Sequence, residues 1–340
     1  MRYRTAILRS VGEDLSDVGE FEVIRRLLAR LPTGDLIVPP GDDAALVPTT
    51  AETLATADLL VEGRHFDFAF SSPADVGFKA LTVNVSDIAA MGGRPRYATV
   101  SVGAPAATPV AMLEALYDGI GEAARAYGVT IAGGDTVGAD AIIVSVAVLG
   151  EPGAGGVVLR SGAQSGDLLC VTGELGAAAA GLSLLRAAGA DAAARALAER
   201  YPNVIGAHRR GVARVREGEA AAVSGARAMI DVSDGLLADA GHLSERSGVG
   251  LLIDGHAVPR APGVEDVEEW SGSPGLALAG GDDYELCFAI APEDVDAVTR
   301  AVSPTSVTVV GRFVEGSGVE VSGTAAPPAT GWDSFRGPNA

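Results

Sequence analysis

The chain has 340 residues, 48% of them hydrophobic and 20% charged, and a formal net charge of −19 at pH 7. That length suits two domains rather than a single core, and that apolar content suits a folded chain rather than a disordered one. The acidity excludes a nucleic-acid partner, since that binding depends on Lys and Arg neutralising phosphates, and no stretch reaches the roughly 18 uninterrupted apolar residues of a membrane span.

In chain order, a first helix is predicted over Glu20–Leu31, with Phe21, Ile24, Leu27, Leu28 and Leu31 on one face. A strand follows at Thr53–Ala57. The pair Ser72-Pro73 opens a second helix, with Ser as cap and Pro in the first turn, turning Val76, Ala80 and Val83 inward. Lys79 is expected on its surface and Asn84 in its packing. Thr108-Pro109 opens a third helix running to about Tyr127, and strands are expected at Tyr97–Val102, Val129–Ala132 and Ala141–Leu149. The glycine-rich run from Glu151 to Gly156 marks a junction between domains at 1–150 and 151–340. Beyond it, strands are expected at Leu168–Thr172, Ala228–Val232, Gly250–Ile253, Tyr284–Ile290 and Ser306–Val310. Helices are expected at Leu175–Ala188, Ala192–Arg200, Leu236–Ser247 and Pro292–Val302. Alternation of this kind gives a two-domain α/β (α+β) protein. The tail from Thr324 is rich in Pro, Ala and Gly, yet Trp332 and Phe335 within it call for a docking site.

Cys170 and Cys287 each lie in an apolar run, without a CxxC pair, and Arg2 and Arg4 are not followed by an apolar core of signal-peptide length. A reducing, cytoplasmic location is expected.

Six acidic segments carry the chemistry: Gly41-Asp42-Asp43, Thr56-Ala57-Asp58, Asn84-Val85-Ser86-Asp87, Gly133-Gly134-Asp135-Thr136, Asp231-Val232-Ser233-Asp234-Gly235 and Gly280-Gly281-Asp282-Asp283-Tyr284-Glu285. They read as aspartates at glycine-rich strand ends, and Asn84–Asp87 echoes Asp231–Asp234 as though two halves were related. Asp and Gly favour turns in any protein. Six such segments in one chain fit a magnesium–nucleotide site better, since magnesium takes oxygen ligands and lets a polyphosphate approach carboxylates. The Walker sequence and the His-Arg-Asp and Asp-Phe-Gly triplets of kinases are absent. Gly119-Ile120-Gly121-Glu122-Ala123-Ala124 matches a loose dinucleotide fingerprint but falls inside a predicted helix.

The segments GDDAAL, ATADLLVEGRHFD, KALTVNVSDIAAMGGRP, IAGGDT, LRSGAQSGD, IDVSDGLLAD and GGDDYELCF, in this order, resemble those of the thiamine-monophosphate kinases, of the aminoimidazole-ribonucleotide-synthetase-like superfamily. The resemblance spans residues from about 20 to 335. It implies a two-domain fold, with an N-terminal mixed sheet with helices that binds ATP and magnesium and dimerises, and a C-terminal α/β domain whose tail closes on the active site. It implies magnesium ligands at Asp43, Thr56, Asp58, Asp87, Asp135, Asp231 and Asp234. It further implies ATP contacts at Gly134, Asp135, Arg160 and Ser233, and thiamine-phosphate contacts at His65, Asp282 and Trp332. The chain departs from the pattern at Ala57, where threonine is common, and at Asp282, where glutamate is common.

The implied activity is transfer of the γ-phosphoryl group of ATP to thiamine monophosphate, giving thiamine diphosphate, by a homodimer with several magnesium ions. The acceptor phosphate is largely dianionic at neutral pH and needs no general base, so direct in-line transfer without a phosphoenzyme is expected. Selenophosphate and aminoimidazole ribonucleotide synthetases are the related alternatives. The former carry an early reactive Cys beside Lys, whereas here the first Cys is Cys170 and the only lysine is Lys79. A non-catalytic magnesium–nucleotide-binding protein is the alternative of another class.

Overall fold

The computed structural model describes residues 13–18, 20–32, 34–36, 47–49, 52–323 and 331. The chain divides into two compact units, Met1–Ile88 with Pro95–Glu151, and Ala89–Arg94 with Pro152–Ala340.

Among the described residues, the first unit contains α1 (Leu15–Val18), α2 (Glu20–Leu28), β1 (Leu54–Val61), α3 (Pro73–Ala90), β2 (Gly93–Ala104), α4 (Val110–Tyr127), β3 (Thr130–Gly138) and β4 (Ile143–Pro152). Its four strands order as β1-β4-β2-β3, with β1 antiparallel to β4 and β2 parallel to β3. Helix α3 starts where Ser72-Pro73 places it. The Ser72 hydroxyl accepts from the Asp75 amide at 3.1 Å, while Asp75 Oδ2 accepts from the Ser72 amide at 3.2 Å, a reciprocal cap. Val76, Ala80 and Val83 are buried as their spacing requires, but so is Lys79, at 4% exposure, contrary to its expected place on the surface. The helix crosses α4 at a distance only glycine permits. A Cβ on Gly77 would lie 1.9 Å from the Leu116 carbonyl oxygen, and one on Gly119 equally close to that of Ala74. The Gly119–Ala124 fingerprint is therefore a helix-packing device inside α4, not a phosphate loop.

Strand β1 alternates between two faces. Thr56 and Asp58 pair with buried Val148 and Val146, whereas Ala55, Ala57 and Leu59 pair with the half-buried Leu149, Ala147 and Ser145. The second face stays open, with Leu59 at 50% exposure.

The second unit contains β5 (Leu168–Thr172), α5 (Ala177–Ala187), α6 (Ala192–Arg200), α7 (Pro202–Arg210), α8 (Val215–Val223), β6 (Ala228–Asp231), α9 (Leu236–Ser247) and β7 (Gly250–Asp254). It continues with α10 (Val264–Ser271), α11 (Leu276–Ala279), β8 (Leu286–Ile290), α12 (Val295–Val302), β9 (Val307–Val314) and β10 (Val319–Ser322). Its sheet runs β10-β7-β9-β5-β8-β6. The central strands are apolar on both faces, so one core holds Leu169, Val171, Cys287 and Phe313 and the other Cys170, Phe288 and Met229. Both cysteines are free and buried, and burial pushes the Cys170 thiol up to about 12. Among the described residues no helix is long and apolar enough to cross a membrane.

Four helices of this unit, α7, α8, α10 and α11, and strand β10 escape the sequence pattern. Helix α7 begins at Pro202, directly after α6 ends at Arg200. A proline there reads as a stop but serves as a first-turn residue. Helix α8 is interrupted by Gly218, and α10 is crowded with acids, which blurs the apolar stripe of each.

Candidate active site

In the first unit, the apolar alternation of β1 aims Thr56 and Asp58 toward α3. The Thr56 hydroxyl donates to Asp87 Oδ2 at 2.5 Å, and the Asp58 amide donates to Asn84 Oδ1 at 2.9 Å. Asn84 is fully buried and returns its Nδ2 to the Ala80 carbonyl at 3.0 Å, so the last turns of α3 and the edge of β1 are fastened together. Burial, with the Asp87 charge nearby, pushes the Asp58 carboxyl up to about 6. Asp87 lies inside a helix rather than at a strand end. Its segment is helical, whereas Asp231–Asp234 runs from the end of β6 into a turn, so the two do not share a local structure. Ala57 faces the opposite side of β1 from Thr56 and Asp58, so a hydroxyl there would point away from the Asp58–Asp87 pair.

His65 lies in the turn after β1, exposed, and its Nδ1 accepts from the Val61 amide at 3.0 Å. In a neutral ring this leaves Nε2 as the donor.

Asp135 is placed elsewhere. A bulge between Ala98 and Thr99 sets the β3 register so that Gly134 pairs with buried Val100 and Asp135 with exposed Ser101. Asp135 thus projects from the open face, opposite to Thr56 and Asp58. It also lies on the far edge strand, with β4 and β2 intervening, about 14 Å away at normal strand spacing. Its Oδ1 accepts from the Thr136 amide at 2.8 Å. Gly134 is obligatory here, because a Cβ would lie 1.8 Å from the Val100 carbonyl oxygen.

In the second unit, the β6–β8 pairing continues past both strands. The Val232 amide donates to the Glu285 carbonyl at 2.7 Å, Tyr284 to Val232 at 2.9 Å, and Asp282 to Ser233 at 2.9 Å. Two acidic loops, 231–234 and 280–285, are thereby zipped side by side. Glycine makes the approach possible, since a Cβ on Gly281 would lie 2.3 Å from the Ser233 carbonyl oxygen. Asp239, one turn into α9, gathers the first loop: its Oδ2 accepts from the amides of Ser233, Asp234 and Gly235 at 3.0, 3.1 and 3.1 Å. Burial, then the Asp231 and Asp234 charges, push the Asp239 carboxyl up to about 8 against the pull of those amides. Asp283 holds the second loop, accepting from the Gly176 amide at 2.6 Å and the Ala178 amide at 3.3 Å at the start of α5.

Arg160 is exposed beside the outer edge of β6, where the Met229 amide donates to the Leu159 carbonyl at 3.0 Å. Asp43 and Trp332 lie outside the described residues. Gly331 is described, and it lies beside Ala238 and the Asp234 carbonyl.

Asp239, Tyr284, Glu285 and Arg214 shape the second-unit loops, and sequence reasoning gave none of them a role. The first three lie in the acidic segments and motifs it singled out, Asp239 also as an acid in the first turn of a helix, whereas Arg214 lies outside them. Among the described residues no group of three or more His, Cys, Asp or Glu side chains could hold a metal ion. Magnesium asks for less: one or two carboxylates, with waters and phosphate oxygens completing the octahedron. The Thr56–Asp58–Asp87 set and the Asp231–Asp234 loop supply hard oxygen donors in that number.

Residues 41–151 match the family described as AIR synthase related protein, N-terminal domain, and residues 164–323 its C-terminal domain. Thiamine-monophosphate kinase of Mycobacterium tuberculosis is 39% identical over 98% of this chain and 96% of its own length. The crystal structure of thiamine-monophosphate kinase from Stenotrophomonas maltophilia superposes with a TM-score of 0.78 at 35% identity, covering 91% of this chain and 98% of that one. The structure of AaThiL complexed with AMPPCP and TMP superposes with a TM-score of 0.73 at 32% identity, covering 95% of this chain and 99% of that one. With 39% identity to such an enzyme over nearly the full length and both domains of the family matched, the chain belongs to the thiamine-monophosphate kinases of the AIR synthase related family.

Proposed function

We propose that this protein transfers the γ-phosphoryl group of ATP to the phosphate of thiamine monophosphate. The observation that carries the reading is the zipped pair of loops in the second unit, with Asp231, Ser233 and Asp234 on one side and Asp282 on the other. That adjacency supports a reading in which the metal–phosphate residues and the acceptor-binding carboxylate share neighbouring backbone. A relative of the same fold and family is described in complex with AMPPCP and TMP.

In this reading Asp58 and Asp87, with Thr56, hold magnesium in the first unit, and Asp231 and Asp234 hold it in the second. Asp43 joins the ligands by its motif. Magnesium held by these residues would supply positive charge that offsets the repulsion between phosphate groups. Ser233, Gly134 and Arg160 contact ATP, whereas His65, Asp282 and Trp332 contact the acceptor. The position of Gly331 beside the Asp234 carbonyl favours a tail that closes over the second-unit loops. No side chain needs to act as nucleophile, so transfer is direct.

The position of Asp135 favours a homodimer that shares its sites. Within one chain it cannot join the Asp58–Asp87 pair, from which the sheet divides it. The open face carries exposed Ala57, Leu59 and Val137 and suits a second copy of the same sheet. Asp135 and Gly134 then serve the ATP of the partner copy. Two free, buried thiols favour a reducing cytoplasm.

Incubation with Mg-ATP and thiamine monophosphate, with free thiamine and selenide as competing acceptors, tests the assignment. Stoichiometric thiamine diphosphate and ADP are expected. Exclusive use of another acceptor, or no ATP consumption by folded protein, overturns it.

A further inference from the structure

We infer that the Tyr284 hydroxyl is the positioning group that aims Asp282 at the acceptor, and that the 211–214 loop holds the tyrosine in place for it. The inference rests on the reading that Asp282 touches thiamine monophosphate, and it deepens that reading by naming what sets the carboxylate.

Asp282 and Tyr284 both stand in the left-handed region, at φ 70° and 56°, where residues with a Cβ are rarely found. Such a conformation persists only where its surroundings impose it, and such positions gather at functional sites. Here the restraints are all present. The amides of Asp282 and Tyr284 are bonded to the 231–234 loop, and Asp283 between them is fixed to the start of α5. The outcome is one contact: the Tyr284 hydroxyl donates to Asp282 Oδ1 at 2.6 Å. A short hydrogen bond to a charged acceptor fixes the plane of the carboxylate as well as its place.

The ring that presents this hydroxyl is only 4% exposed. Gly211, at φ +65°, lies flat against it, and a Cβ at that position would come within 2.5 Å of Tyr284 Cδ2. Three residues later Arg214 forks onto Glu285, the neighbour of Tyr284. The loop thus grips the acidic segment at two successive residues.

The arrangement also tells which part of the acceptor is addressed. A carboxylate repels the phosphate of thiamine monophosphate and attracts its cationic thiazolium and amine-bearing pyrimidine. Asp282 is one methylene shorter than the glutamate common in the family, so its reach depends more on being held at the right angle.

The test compares Tyr284→Phe, Asp282→Ala and the double variant in KM for thiamine monophosphate, KM for ATP, kcat and melting temperature. Tyr284→Phe should raise KM for thiamine monophosphate about tenfold, the worth of a hydrogen bond to a charged group, with KM for ATP and kcat unchanged. The double variant should be no worse than Asp282→Ala alone. If Asp282→Ala raises that KM and folded Tyr284→Phe does not, or lowers only kcat, the positioning role is overturned while the acceptor contact stands. If Asp282→Ala itself leaves the KM unchanged, the acceptor contact falls and the inference with it. Should Tyr284→Phe fold poorly, Arg214→Lys keeps the hydroxyl and Asp282 but loosens the clamp. It should raise the same KM several-fold, and an unchanged value overturns the inference.

Discussion

Arg214 holds Glu285 along one edge of its guanidinium, Nε donating to Oε2 at 2.8 Å and the terminal nitrogen Nη2 to Oε1 at 2.5 Å. The carboxylate is 5% exposed and also accepts from the Thr172 hydroxyl at 2.6 Å, which in turn accepts from the Leu286 amide at 2.8 Å. A two-pronged pair of this kind fixes direction as well as distance. It ties the segment between α7 and α8 to the start of β8.

Arg214→Ala strands a buried carboxylate, and removing one partner of such a pair costs about 3–5 kcal/mol. Urea unfolding should show that loss, with Glu285→Gln in the same background recovering part of it. A midpoint unmoved by Arg214→Ala would show that the pair does not fasten the loop.

Gly281→Ala should separate activity from stability. The added Cβ would meet the Ser233 carbonyl oxygen at 2.3 Å, backbone against backbone, so the two acidic loops must part. The disturbance lies beyond the regular strands and spares both cores. We expect kcat/KM to fall by at least about a hundredfold, because misplacement of about 1 Å has that effect on aligned groups. The melting temperature should move by only a few degrees. Near-normal kcat/KM in the folded variant would show that the loops tolerate separation.

The same close approach marks what could be read from the sequence. The apolar periods gave β5, α6 and α9 with their observed boundaries, and Ser72-Pro73 gave the start of α3, because those signals are local. The aspartates were legible as a set, but not their distribution. Nothing local says that Asp87 ends up inside a helix, or that Asp135 leaves the opposite face of the sheet from Asp58. The face depends on one bulge, at Ala98/Thr99, which shifts the register by a residue and turns every later side chain over. Arg214 was illegible for a related reason, since its role arises from a contact across 71 residues of chain, whereas the Tyr284–Asp282 contact spans two residues but depends on a left-handed backbone that the apolar pattern does not announce.

Stability should fall as pH rises through the range set by Asp283. Burial pushes its carboxyl up to about 7 from 3.8, against the pull of the Gly176 and Ala178 amides and with Glu285 and Asp282 adding repulsion. Between these values the unfolded chain has released the proton and the folded chain has kept it. The folded state therefore binds more protons, and its stability declines as pH rises across the window, then levels above it. The full shift corresponds to about 4 kcal/mol. Asp283→Asn should remove this slope, so its melting temperature relative to the parent should climb between about pH 4 and pH 7. Parallel melting curves for the two proteins across that range would refute the assignment.

The division of Asp135 from Asp87 predicts complementation between inactive chains. If Asp135 serves the partner's site, then Asp135→Asn and Asp87→Asn each silence every site of their own homodimer. In a mixed dimer the two lesions fall together in one site, because Asp135 of one copy meets Asp87 of the other. The second site of that dimer is then intact. Unfolding and refolding an equal mixture gives mixed dimers for about half the population, so activity should return to about a quarter of the parent value. Refolding each variant alone controls for residual turnover and should give none. Failure of the mixture to regain activity, with mixed dimers demonstrated by a tag on one chain, would mean that Asp135 works within its own chain or not at all. Since the sheet lies between Asp135 and the Asp58–Asp87 pair, working within its own chain would require Asp135 to bind a phosphate or metal remote from that pair, and the six acidic segments would then not build one kind of site.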